Sequence, residues 1–400
     1  LLDITGNLSA TAAHHGESAT TADGTALGAN AAIGAAIALA FVDDSALATT
    51  SRNITADKSV TFAAHGDGSS IVAAKASSEG ADKTKEAAKG NTKADDQKTK
   101  QTNLANAKSG KSKSVGQSAD DGNGGSISVA AALALNVSDS KAVASVGDGL
   151  TVIAGDGATN GSLNLAASNN MNATATADGS AASGAGGTSV GIAVAINVAA
   201  MTDSAVIGSN AIVKADAVTM SAGMKDVGGD LKHEFAAKAT SGASGGDTGV
   251  AGSFALNVSD TTAEAAQKAG SSLTITDGGG DVAMSAANTS DSTVEAKAKS
   301  GGANLGVGIS IAINAVDNIT NAELKPTAML AGADDITLSA TGSHKTSTTS
   351  TSGGAAKDGT GVGGAFAITV ADNASSATIG SGTLLDITGN LSATAAHHGE

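Results

Sequence analysis

The chain has 400 residues and a net charge of −15, with no Cys, Trp or Tyr, one Pro, five Phe and 53 Gly. A globular core draws on large apolar and aromatic side chains, which are scarce here, and so a rounded domain is not expected. Collagen is excluded because Gly does not recur at every third place, and wholesale disorder because Val and Ile alternate too regularly. No apolar run is continuous enough for a membrane helix, so no membrane insertion is expected. The acidic balance disfavours nucleic acid as a partner, since phosphate contacts need Lys and Arg.

Residues 1–17, LLDITGNLSATAAHHGE, recur unchanged at 384–400, a period of 383 residues. The expectation is one continuous window of a tandem array. Six shorter units lie inside it, each marked by an alternating stretch: AAIGAAIALAFVD (31–43), SISVAAALALNVSD (126–139), TSVGIAVAINVAA (188–200), VAGSFALNVSD (250–260), GVGISIAINAVD (306–317) and GVGGAFAITVAD (361–372). Alternation of period two is the mark of a β-strand, with large residues on one face and small ones on the other. Aligned on Ala40, Asn136, Asn197, Asn257, Asn314 and Thr369, the units are spaced by 96, 61, 60, 57 and 55 residues. Each is expected to continue through an Asp turn, an Ala-x-hydrophobic segment and two short strands joined by a Gly/Asp/Asn turn, as in SLTITDGGGDVAMSA (272–286). A polar leg such as SHKTSTTSTSGG (343–354) and a Gly-rich turn then lead to the next unit. Stacked units of this kind predict an all-β, elongated parallel β-solenoid of six units of about 55–60 residues per repeat.

The first unit is longer because of a Lys-rich segment, 75–113, with ten basic and five acidic residues. It is expected to project from the rod as a solvated insertion, or to act as an electrostatic hook for an acidic neighbour.

Asn136, Asn197, Asn257 and Asn314 hold one register of the long strand. They predict a structural ladder of side-chain hydrogen bonds, provided one wide coil per unit makes equivalent strands direct neighbours. Asp43, Asp139, Asp260, Asp317 and Asp372 follow three residues later and are candidate Ca²⁺ ligands, the only cofactor the sequence suggests; plain Asp turns are the alternative. No EF-hand loop or calcium-binding nonapeptide accompanies them. Both faces of the long strand look covered, because the second face carries Gly, Ser, Ala and Asn in place of Lys and Glu. This makes Ala193, Ala195, Ala312, Ala365 and Ala367 the expected assembly face for lateral bundling. His14 and His15, repeated as His397 and His398, have no third ligand at metal spacing, and sequons such as Asn7 and Asn53 are expected by chance in a Ser/Thr-rich chain.

The residues Ile196-Asn197-Val198, Ile207-Gly208 and Gly280-Asp281-Val282-Ala283-Met284-Ser285-Ala286 give the chain a repeat style that resembles giant bacterial surface proteins of the filamentous-haemagglutinin-like and leukotoxin-like type. That resemblance implies a secreted, extracellular or cell-surface β-solenoid rod engaged in adhesion, with no catalytic residues to carry over. The expected function is a self-stacking structural filament or sheath, with self as partner. The alternative is the stalk of a giant adhesin that attaches to other cells or surfaces. A polysaccharide-acting enzyme on a β-helix is a remote third: Arg52 is the only Arg, no catalytic motif is present, and no enzyme is expected.

Overall fold

The computed structural model describes residues 1–28, 31–80, 127–155, 157, 160–184, 186–276 and 279–400. The chain winds as a parallel β-solenoid with three sheets. Sheet A holds short strands: β1 (Leu2–Ile4), β4 (Ile54–Ala56), β7 (Thr151–Ala154), β10 (Ile212–Ala215), β14 (Ser272–Ile275), β17 (Met329–Ala333) and β20 (Leu384–Ile387). Sheet B holds β2 (Leu8–Gly28), β5 (Val60–Gly80), β8 (Ser162–Ser183), β11 (Ala217–Met224), β12 (His233–Gly245), β15 (Val282–Gly302), β18 (Ile336–Ala356) and β21 (Leu391–Gly399). Sheet C holds β3 (Ala31–Thr50), β6 (Ile127–Val146), β9 (Thr188–Ile207), β13 (Thr248–Gln267), β16 (Leu305–Leu324) and β19 (Thr360–Ile379).

Each sequence unit therefore supplies one wide coil: a short strand in A, a long strand in B and a long strand in C. In the fourth coil the lane of sheet B is shared by β11 and β12. The segment between them makes a small antiparallel turn at Val227 and Asp230, with positive φ at Gly228 and Gly229.

The strands run longer than the sequence predicts. Asp317 is not in a turn: β16 continues through it to Leu324 with unbroken pairing to β13 and β19. The second of each expected pair of short strands is the start of a long one, since Val282–Ala286 opens β15, and the polar leg 343–354 is part of β18. The reason is the same in both cases. Polar residues there either sit on the outer face of a strand, where water satisfies them, or point inward to a hydrogen-bond partner, as His344 does to Ser290, and pairing goes on undisturbed. Of the Lys-rich segment, residues 75–80 belong to β5, while 81–113 lie outside the described residues.

Loop length sets the shape of the cross-section. Only Ala303 and Asn304 join β15 to β16, so sheets B and C are pinched together at that corner. At the other side sheet A is interposed and holds B and C apart. The interior is a wedge, and side-chain size follows it. Near sheet A the core is Phe62, Leu165, Met220, Met284, Leu338 and their neighbours. One step along the strands the same lanes carry Ala167, Ala222, Ala286 and Ala340. Near the B–C corner the core is almost all Ala. At the tip there is no room even for a Cβ: one built on Gly179 would stand 1.8 Å from the Ile192 carbonyl oxygen.

This geometry corrects the expected assembly face. Ala193, Ala195 and Ala312 are 0% exposed and point into the wedge against sheet B, so no neighbouring rod reaches them. Ala365 and Ala367 occupy the same inward lanes on β19, the last strand of sheet C, where they are exposed. The large residues of the alternation face outward instead.

Candidate functional site: the two faces of sheet C

The inner face of sheet C carries the Asn register. Asn136, Asn197, Asn257 and Asn314 are direct neighbours on β6, β9, β13 and β16 and are 0% exposed. Asn136 Nδ2 donates to Asn197 Oδ1 at 3.0 Å, Asn197 Nδ2 to Asn257 Oδ1 at 2.7 Å, and Asn257 Nδ2 to Asn314 Oδ1 at 3.1 Å. Sheet B locks the row from across the wedge. Ser70 Oγ donates to Asn136 Oδ1 at 2.6 Å and Ser292 Oγ to Asn314 Oδ1 at 2.7 Å, while Asn257 Nδ2 also reaches Ser292 Oγ at 2.8 Å. Buried amides need such partners, and here each supplies the next.

A second row, not anticipated from the sequence, lies four residues further along. Thr261 Oγ1 donates to Asn318 Oδ1 at 2.5 Å and Asn318 Nδ2 to Asn373 Oδ1 at 2.6 Å. Sheet B joins it through Asn288 Nδ2, which donates to Thr261 Oγ1 at 2.8 Å, and through Ser290 Oγ, which donates to Asn318 Oδ1 at 3.2 Å and lies 2.9 Å from His344 Nδ1 on the next strand of its own sheet. The signal was legible: Asn318 and Asn373 each follow a row position by four residues, which is the same face of a strand.

Three inward groups are shifted in pKa by burial. Asp203 of β9 is fully buried between Ala142 and Ala263, its Oδ1 has no hydrogen-bond partner, and burial pushes its carboxyl well above the usual carboxylate range. Burial holds His233 and His344 down to about 4.

The outer face of sheet C is apolar over five successive outward positions on all six strands. One column reads Ile33, Val129, Val190, Val250, Val307, Val362. The four columns beside it hold only Ala, Gly, Val, Leu, Ile and Phe. Many of these side chains stand in solvent, among them Ile33 at 70%, Phe41 at 71% and Phe366 at 59% exposure. The outer face of sheet B is the opposite, a polar lawn that includes Thr174, Thr293, Lys345 and Thr349.

The predicted aspartates border the apolar field. Asp43 is beside Asp139, and Asp260, Asp317 and Asp372 form a row of three, with Ala200 separating the two groups. Burial and the Asp317 charge raise Asp260 above its ordinary value, and Asp139 is paired with Lys141 at 2.6 Å. Among the described residues no group of three or more His, Cys, Asp or Glu is arranged to hold a metal ion. His14 and His15 point to opposite faces of β2, His14 toward Asp44 at 2.7 Å and His15 toward Asp67 at 2.5 Å.

Comparisons with protein-family models, with curated proteins and with solved structures returned no match.

Proposed function

We propose that this chain is a structural element of an extracellular fibre, a β-solenoid rod whose task is to span distance and to stack. The observation that carries this reading is the place of the duplicated segment. Leu2–Ile4 and its copy Leu385–Ile387 both lie in sheet A, and Leu8 and Leu391 both open strands of sheet B. A further 383-residue copy would continue the same three sheets with no adapter, which is what a tandem array needs. The interior rows of Asn, which tie coil to coil, fit a mechanical role. The resemblance of its repeat style to giant surface adhesins supports the outside of a bacterial cell as its location, with an adhesin stalk as the alternative to a self-stacking filament or sheath.

An antibody against this chain should label filaments on unpermeabilised host cells in electron micrographs. Label confined to the cytoplasm would overturn the reading. Depolymerisation of a polysaccharide by the purified chain would replace it with the enzyme alternative.

A further inference from the structure

From the outer face of sheet C we infer that the rod docks side by side with a second copy of itself, apolar face to apolar face. This deepens the fibre reading, and rests on it for its biological setting, by naming the lateral contact. The field is large enough. Five outward positions at about 6.6 Å along each strand and six strands at about 4.8 Å give roughly 950 Å² in projection, against about 800 Å² per partner in a stable interface. No charged or polar side chain interrupts it. Its relief has an axial period set by the strand spacing, and Ile192 and Ile309 stand beside the low positions Ala131, Gly252 and Gly364 in one column. A second copy presents rows at that same spacing, so the rows of one can seat between those of the other along the whole length.

Charge disfavours one rival occupant and sets the orientation of the pair. The rim is the aspartate border on a rod of net charge −15, which repels an anionic lipid surface. Residues 81–126 contain Leu104 and Val115 as their only Val, Leu, Ile, Met or Phe, too little to match the field. If the twofold axis ran along the strands, the two aspartate borders would lie against each other. With the axis along the rod, they fall on opposite flanks, each over the start of the partner's strands, where Thr188, Thr248 and Thr360 sit. The rods are then parallel, both pointing the same way.

The test uses the purified 400-residue chain in sedimentation equilibrium. The expected result is a dimer at micromolar concentration. The double variant Val194→Lys, Ile311→Lys places two charges mid-field on outward positions; it should keep its circular dichroism and weaken dimerisation by about 100-fold or more. Thr349→Lys, on the outer face of sheet B, should leave the dimer unchanged. The chain has no Cys, so single cysteines report orientation. Ile37→Cys on β3 should cross-link to its own copy through a bis-maleimide spanning the roughly 10 Å between packed sheets. Cross-linking of Ile37→Cys to Phe366→Cys on β19 in its place would overturn the parallel arrangement. A wild-type chain that stays monomeric at 100-fold higher concentration, or that floats with neutral phosphatidylcholine vesicles without dimerising, overturns the docking itself. Both readouts are made on purified chain, so they fail independently of where the protein resides in the cell.

Discussion

Asn257 sits at the centre of the inner row, accepting from Asn197 and donating to Asn314 and Ser292. Truncation leaves the buried Asn197 amide donor without its acceptor and leaves Asn314 Oδ1 with Ser292 Oγ alone. Asn257→Ala should cost about 2–4 kcal/mol in denaturant unfolding. Asp203 is the reverse case. Its neighbours in the same lane are Ala142 and Ala263, so Asp203→Ala fits the space and removes an orphaned polar group, with an expected gain of about 1–3 kcal/mol at pH 7. The gain grows with pH. The unfolded carboxyl ionises above its ordinary 3.8 while the folded one stays neutral, so the wild type loses stability as pH rises from there. Histidine acts in the other direction. His233 and His344 titrate near 4 in the fold against an ordinary 6.5, so their contribution is whole above 6.5 and is lost as pH falls toward 4. Thermal melts between pH 8 and 4 should show this decline, on the order of 3 kcal/mol for His233 alone, and His233→Gln should remove that part of the slope.

At the scale of the element, the strands declare themselves through period two, but unit spacing fits one wide coil or several narrow ones; the structure has one, and residues 55–61 apart meet in register. What the sequence conceals is which face is inside. Large β-branched residues are read as inward by habit of burial, and a face of Gly, Ala and Asn as a second covered layer. That inference fails here because the corner between sheets B and C is too short to admit a Val-sized layer, and a two-residue connection such as Ala303-Asn304 carries no label saying so. The aspartates mislead for a related reason, since Asp317 is as compatible with an outward strand position as with a turn. The wedge itself is testable. Gly179→Ala drives a methyl into the Ile192 carbonyl and must push the two sheets apart, so it should destabilise by about 2–4 kcal/mol, overpacking with no rotamer to relieve it. Gly252→Ala, whose Cβ meets nothing within 4 Å, should be neutral within about 0.5 kcal/mol in the same melts.

Taken whole, the rod is narrow at one edge, triangular at the other, polar on one broad side and apolar on the other. Few of these properties depend on any single residue, because the lanes repeat six or seven times, and a fault in one coil is flanked by intact copies. The wide coil also dictates how the molecule answers a pull. Each turn advances the axis by only about 4.8 Å, yet stores some 57 residues of chain, about 190 Å when drawn straight. Tension applied at the two ends peels the outermost coil first, breaking its ladder bonds one after another instead of shearing the whole row together. Optical-tweezer traces should therefore show low steps, one per coil, close to 190 Å for most coils and about 330 Å for the coil of 96 residues, and a single large rupture of the entire length would contradict the one-coil-per-unit architecture. A short rod built this way can lengthen nearly fortyfold before it parts, and behaves under load less like a strut than like a tether that yields and re-winds.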